Sequence, residues 1–167
     1  TNANGIRARI RKGAFECYLR RERPDILLIQ EFRCDATKFF SKSRTKETLQ
    51  ELGYGVVIIN TCEYNIGYAG TAILSRVPIL SHQLMTDDEE GRVIAVDFGG
   101  FTMVNIYSPN SGRPLELKTM PKRRTFETKL RKMILQLQKK QPVLAVGDLN
   151  VAYWPQDVHE QWNKETW

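Results

Sequence analysis

The stretch Pro142-Val-Leu-Ala-Val-Gly-Asp-Leu-Asn-Val-Ala152 constrains the fold more than any other. Its apolar run, opened by a proline and closed by a glycine, predicts a short strand buried on both faces. Asp148 and Asn150 follow at once. In an open α/β sheet, ligands gather outside the carboxyl ends of the strands, which makes an acid and an amide placed there candidate site residues. The same Gly-Asp-Leu-Asn also suits a tight turn in which Asp and Asn bond their own backbone. This segment alone leaves both readings open.

Asp25-Ile-Leu-Leu-Ile-Gln-Glu31 repeats the pattern, an apolar run that delivers a carboxylate at its far end. Ahead of it, Ile6, Ile10, Ala14, Cys17 and Tyr18 fall at helical spacing. Gly13 weakens that helix and Arg23-Pro24 ends it, because the residue before proline is pushed out of the α region. Residues 35 to 46 are polar and basic around Phe39 and Phe40, which predicts a loop or a short irregular helix. A helix over Lys46 to Leu52, stopped by Gly53, precedes strands at Val56–Ile59 and Gly70–Ser75. Asp87-Asp-Glu-Glu-Gly91 lacks the alternating ligand spacing of a calcium loop and reads as a solvated acidic turn. Arg92–Phe98 and Phe101–Tyr107 flank Gly99-Gly100, a β-hairpin signal. After Pro121, Phe126, Leu130, Met133, Ile134 and Leu137 form one apolar stripe of a long helix. This alternation predicts one α/β layered domain rather than an all-β barrel.

Twenty-five Lys and Arg against nineteen Asp and Glu give +6 at pH 7 and favour a polyanionic partner. A basic but merely solvated surface would give the same balance. Cys17, Cys34 and Cys62 show no metal-type spacing, which favours a reduced, intracellular setting, nucleus or cytoplasm, over a disulfide framework. No apolar run has the length of a membrane span and the arginine-rich start is unlike a signal peptide, so no membrane partner is expected.

The polar residues at predicted strand ends are Asn2, Asn4, Glu31, Tyr107, Asn110, Asp148 and Asn150. Two carboxylates with amides and a phenol suit a hard divalent cation and phosphate oxygens, since magnesium takes one or two protein carboxylates plus waters and substrate phosphates. One carboxylate can then orient or deprotonate a water while the metal offsets charge on the phosphoryl oxygens. Metal-assisted phosphodiester hydrolysis fits this inventory. No nucleophile elbow, Walker-type loop or zinc-ligand spacing competes with it. His82 and His159 lie in polar surroundings and read as surface histidines.

Six segments, in order, resemble the exonuclease III type of apurinic/apyrimidinic endonuclease within the endonuclease/exonuclease/phosphatase superfamily. They are Asn2-Ala-Asn-Gly-Ile-Arg-Ala8, Pro24-Asp-Ile-Leu-Leu-Ile-Gln-Glu31, Gly67-Tyr-Ala-Gly-Thr-Ala-Ile-Leu-Ser75, Gly91-Arg-Val-Ile94, Val104-Asn-Ile-Tyr-Ser-Pro-Asn110 and Gly147-Asp-Leu-Asn-Val-Ala152. The resemblance implies a four-layer α/β sandwich, of which this chain would supply mainly the first sheet and its helices. It implies Mg2+, or Mn2+, held by Glu31 with Asn4 supporting through water. Asp148 would orient or activate the attacking water, and Asn150, Asn2, Tyr107 and Asn110 would hold the scissile phosphate. Tyr68, Arg113 and Arg33 would contact the DNA. The implied reaction is cleavage 5′ to an abasic site in duplex DNA, leaving a 3′-hydroxyl, with 3′ exonuclease activity beside it. The partner is double-stranded DNA with abasic sites or 3′ ends, and the complete protein would be a monomer.

The family's Thr-Lys after the metal glutamate is Phe32-Arg33 here, which changes the reach and geometry of the cation. Family members continue to a second sheet and a final Asp-His pair, and no Asp-His occurs in this chain. The chain is therefore expected to be a C-terminally incomplete domain with an exposed, aggregation-prone sheet face and little turnover of its own. A retroelement-type endonuclease of the same superfamily and a non-catalytic DNA-binding relative are the alternatives. Retention of Glu31, Asp148 and Asn150 favours the enzyme.

Overall fold

A computed structural model describes residues 1–41, 43–112 and 118–157. The first helical segment is split in two, α1 (Ile6–Arg11) and α2 (Ala14–Glu22). Gly13 causes the break. It sits at φ +70°, a left-handed conformation that glycine adopts without steric cost. Arg23 closes α2 in the same region at φ +42°, ahead of Pro24. Within residues 35 to 46, Asp35 caps α3 (Ala36–Phe40) by accepting a hydrogen bond from the Lys38 N–H at 2.6 Å. Helix α4 spans Ser43–Glu51.

The strands divide between two sheets. β1 (Ile26–Gln30), β2 (Val56–Asn60) and β3 (Thr71–Ser75) form an antiparallel sheet in the order β1-β3-β2. The second sheet takes β4 (Ser81–Leu84), β5 (Val93–Asp97), β6 (Thr102–Tyr107) and β7 (Val143–Asp148) in that order. β5 and β6 are the expected hairpin, closed by stacked Phe98 and Phe101 rings 5.2 Å apart. α5 (Met120–Gln138) then carries the chain over to β7, which pairs parallel with β6. β4 has an exposed, polar sequence without the alternation that marks a half-buried strand, and only its backbone pairing with β5 reveals it.

Three apolar clusters define four layers. Ile6, Phe15, Leu19, Phe32 and Phe39 pack the first helices against Leu27, Ile29 and Leu74 of the first sheet. Ile58 and Ile73 meet Ile94 and Val96 between the sheets. Phe126, Leu130, Met133 and Leu137 of α5 cover Val93, Ala95, Val104 and Ile106 of the second sheet. The four-layer sandwich is present, but the chain contributes strands to both sheets rather than mainly to the first. The physical reason is the Gly99-Gly100 hairpin, which keeps β5 and β6 adjacent in the second sheet, with β7 returned to their side by α5.

A second expectation is corrected. β7 is not buried on both faces: Leu144 is 50% exposed and Val146 40%. The register Asn105↔Val146 and Tyr107↔Asp148 turns that side of β7 toward the first sheet, where β1 is the outermost strand. Among the described residues nothing pairs with the outer edge of β7 either. The apolar run encodes a core strand, and this chain covers only part of it. Among the described residues no helix is long and apolar enough to cross a membrane.

Candidate active site

The site forms where the ends of β1, β6 and β7 converge. Residues 1–6 run along the end of β1, with Ala3 N–H donating to Gln30 O, Gly5 N–H to Glu31 O and Ile6 N–H to Phe32 O. Fully buried Asn105 on β6 fixes the sheets relative to one another. Its amide donates to Ile29 O at 3.1 Å and Ala72 O at 3.0 Å, and accepts from Gln30 Nε2 at 2.6 Å. A buried polar group so fully satisfied gives one registration and penalises others, since any slip leaves it unpaired.

Asn2 is the hinge of the constellation. Its Nδ2 donates to Glu31 Oε1 and to Asp148 Oδ2, 2.9 Å in each case. The Tyr107 hydroxyl donates to the same Glu31 oxygen at 3.0 Å, and Arg33 Nη2 donates to Glu31 Oε2 at 2.6 Å. Asn4 stands exposed in the opening turn, its N–H donating to Asn2 Oδ1 at 2.9 Å. On the β7 side, Asn150 N–H donates to Asp148 Oδ1 at 3.2 Å, while Asn150 Nδ2 donates to Ser108 O at 2.8 Å. Asn110, in the turn after β6, points its Oδ1 at Gly112 N–H, 2.6 Å away. Glu31, Asp148, Asn2, Tyr107 and Asn150 are thus in one hydrogen-bonded group, with Asn4 and Asn110 in the turns beside it. Arg33 is tied to Glu31, and its buried Nε has no hydrogen-bond partner. Arg113 lies outside the described residues, as does His159; His82 is exposed on β4, as expected.

Backbone strain gathers here as well. Asn4, Glu31, Arg33, Ala69 and Asn150 all hold φ between +45° and +50°, a region costly for residues other than glycine. Such outliers persist where surrounding bonds over-determine them, and at Glu31 four neighbours do so through side chain and backbone. Burial, followed by the bond to Glu31, pushes the Tyr107 phenol up to about 12, so at neutral pH it is a donor.

Two parts of this site were not anticipated. Arg123 on α5 is 6% exposed and holds both turns at once, Nη1 donating to Asn150 O (2.7 Å) and Pro109 O (3.2 Å) and Nη2 to Leu149 O (2.9 Å). It lies three and seven residues before Phe126 and Leu130, so an arginine in phase with the apolar stripe was the available signal. The acidic turn is the second, and the solvated reading fails for half of it. Glu90 is 6% exposed and pairs with Arg92 at 2.7 Å, with Lys122 and with the Tyr64 hydroxyl. Asp88 Oδ2 accepts the Arg92 and Val93 N–H groups. The cause is Arg92, itself 4% exposed, whose buried charge needs a partner.

Burial pushes the Glu90 carboxyl up, but bonds from Lys122, Tyr64 and Arg92 outweigh it and leave it below its ordinary 4.5. A depressed folded value contributes stability above the unfolded pKa and loses it as pH falls through the folded one. The difference in Tm between the wild type and Glu90→Gln is therefore expected to be full at neutral pH and to shrink below about pH 4. A difference that stays constant on acidification would remove Glu90 from this role. Burial pushes Asp88 the opposite way, and the Glu90 charge adds to that push as the smallest of its causes.

Among the described residues no group of three or more His, Cys, Asp and Glu is arranged to hold a metal ion by itself. The oxygen donors on the site are two carboxylates and several amides, the hard and sparse set that magnesium accepts. Three donors already engage Glu31, of about four that a carboxylate can accept, so its oxygens retain capacity for a cation.

The family model described as Endonuclease/Exonuclease/phosphatase family matches residues 1–165. The chain belongs to this family. An exodeoxyribonuclease of Bacillus subtilis is 35% identical over 158 residues, covering 91% of this chain and 57% of that protein. A 3′-5′ exonuclease from Neisseria meningitidis shares the fold with a TM-score of 0.77 at 24% identity, covering 95% of this chain and 59% of that one. An AP endonuclease from Archaeoglobus fulgidus does so with a TM-score of 0.73 at 27% identity and the same coverage. The chain thus spans little more than half the length of these members of the endonuclease/exonuclease/phosphatase family.

Proposed function

We propose that the protein is a Mg2+-dependent DNA nuclease that hydrolyses the phosphodiester 5′ to an abasic site, leaves a 3′-hydroxyl, and removes nucleotides from 3′ ends at the same site. The single amide of Asn2 that links Glu31 to Asp148 carries this reading, because it sets a metal-ligating carboxylate and a water-activating one side by side. The names of the relatives, an exodeoxyribonuclease and an AP endonuclease, agree with it.

Glu31 would hold the cation, with Asn4 acting through water; when bound, the cation, Mg2+ or Mn2+, offsets negative charge on the phosphoryl oxygens. Asp148, fixed by Asn2 on one oxygen and by Asn150 N–H on the other, takes the proton of the attacking water. Tyr107, protonated at neutral pH, has one O–H, now given to Glu31, and would turn it to a phosphate oxygen once the cation occupies that carboxylate. Asn110 and Asn150 would supply further donors around the scissile phosphate, Asn2 would join them by releasing one of its two carboxylate bonds, and the Arg33 guanidinium and the half-exposed Tyr68 would face the DNA backbone. Arg113 would join the same contact on the strength of the family resemblance alone.

In the full-length protein with Mg2+, a duplex bearing one tetrahydrofuran abasic analogue is expected to be nicked and an undamaged duplex spared. Equal cleavage of both would overturn the abasic assignment in favour of a general or retroelement-type endonuclease. Binding without cleavage, under the same conditions, would favour the non-catalytic alternative. Affinity should fall steeply with salt, by a slope of about −0.9 in log K per phosphate neutralised.

A further inference from the structure

Arg92 belongs to none of the roles above, yet it reaches three groups behind the site at once. Its Nε pairs with Glu90 at 2.7 Å, its Nη1 donates to Tyr107 O at 3.1 Å, and its Nη2 donates to the Tyr68 hydroxyl at 3.1 Å. The guanidinium carbon lies 4.5 Å from the centre of the Tyr107 ring and 5.6 Å from that of Tyr68. Glu90 in turn binds Lys122 at the start of α5, whose ammonium lies 6.0 Å from the Tyr68 ring. The Tyr107 hydroxyl, at the far end of the Tyr107 ring, donates to Glu31.

We infer that Arg92 is a positioning residue that holds Tyr107 on Glu31 and Tyr68 at the DNA-facing rim, so that one buried fork sets the separation between phosphate chemistry and strand binding. The inference rests on the nuclease reading of the same site. Its physical basis is the planar guanidinium, which presents donors in fixed directions and packs its face against a ring at the same time. Lysine at this position keeps the charge opposite Glu90 but cannot span both tyrosines. Because Arg92 is buried it contacts no DNA itself, and its effect passes through the two rings.

The test uses the full-length protein and Arg92→Lys. Nicking of the tetrahydrofuran duplex under single-turnover conditions is expected to slow about 10²-fold, the cost of a small misplacement at a reacting centre. Duplex affinity should fall only a few-fold and Tm should change little. In the double variant with Tyr107→Phe, the two losses should not multiply, because both act through one ring. Losses that do multiply, or a fall in Tm with unchanged rate, would reduce Arg92 to a structural ion pair. A readout independent of turnover is the 13Cζ NMR signal of tyrosine. The Tyr68 and Tyr107 signals should move in Arg92→Lys while that of Tyr54, bonded to Pro24 O elsewhere, stays fixed. Unmoved signals overturn the inference even if the wild type nicks. Moved signals with an inactive wild type uphold the positioning and overturn the nuclease reading instead. Should Arg92→Lys not fold, Glu90→Gln loosens the same fork, and its tyrosine signals decide the matter in the same way.

Discussion

Asp148→Asn is expected to lower abasic nicking by the full-length protein about 10³-fold or more, with the fold intact, through loss of a general base. The amide has nearly the shape of the carboxylate but cannot accept a proton from water. It also fails the two neighbours that fix it. Asn2 Nδ2 and Asn150 N–H both donate to Asp148, to different oxygens, and an amide offers an oxygen to only one of them. The other donor then faces an NH2 group. Because both positions are solvent-accessible, water can take up the displaced donor, and the stability cost should stay near about 1 kcal/mol. Rate and stability thus separate: a Mg2+-dependent single-turnover assay should register the loss while thermal unfolding hardly changes. Activity equal to the wild type would remove Asp148 from the chemistry.

The strand-end logic of the sequence located most of the constellation, and the reason is geometric. Glu31, Tyr107 and Asp148 each follow a recognisable strand, and adjacent strands in register deliver their ends to one edge. Tyr107↔Asp148 is a pair of the β6–β7 ladder, and Asn2 bridges to Gln30 at the end of β1. Neither parallel relation is readable from periodicity, which gives an element's existence and not its neighbour. The burial of β7 was misread for the same reason. An apolar run reports what a strand is built to be covered by, whereas Leu144 and Val146 report what this chain places over it.

Charged residues behind the site were less legible. Asp88 and Glu90 look solvated in the string Asp87-Asp-Glu-Glu-Gly91, because local sequence does not show that the neighbouring Arg92 is buried with them. Arg92 bonds both, while Tyr64 and Lys122, distant in sequence and brought in only by the fold, bond Glu90. Arg123 differs. Its phase with Phe126 and Leu130 was a signal that the predicted apolar stripe left out, and an inward arginine must find acceptors; it finds them in the carbonyls of the two turns that carry Asn110 and Asn150. A buried cation of this kind connects core packing to site geometry, since the helix that covers the second sheet also holds the turns that carry Asn110 and Asn150.

Gly147→Ala should do what Asp148→Asn does not, and unfold the strand that carries the site. Gly147 has φ +150°, inside the range that side-chain-bearing residues rarely adopt, and it pairs with Ile106 in the parallel ladder. A Cβ at this position would overlap the Ile106 carbonyl oxygen and lie 2.8 Å from both the carbon and the nitrogen of that residue. Backbone cannot swing aside as a flexible side chain would. Either β7 withdraws from β6 or the ladder bends at the point where Tyr107 and Asp148 must stay opposite one another. Strain and lost pairing together are expected to cost about 3–5 kcal/mol, a large share of the stability of a domain. Gly100→Ala is the matched control, since a Cβ there meets nothing within 4 Å, and it should shift stability by less than about 0.5 kcal/mol. Urea unfolding of the full-length variants measures the cost, and hydrogen exchange of the β6 and β7 amides shows where it falls. Protection retained at Val104, Ile106 and Val146 in Gly147→Ala would mean that the ladder absorbs the methyl group. In that event the close approach at Gly147 is not what holds Asp148 beside Asn2.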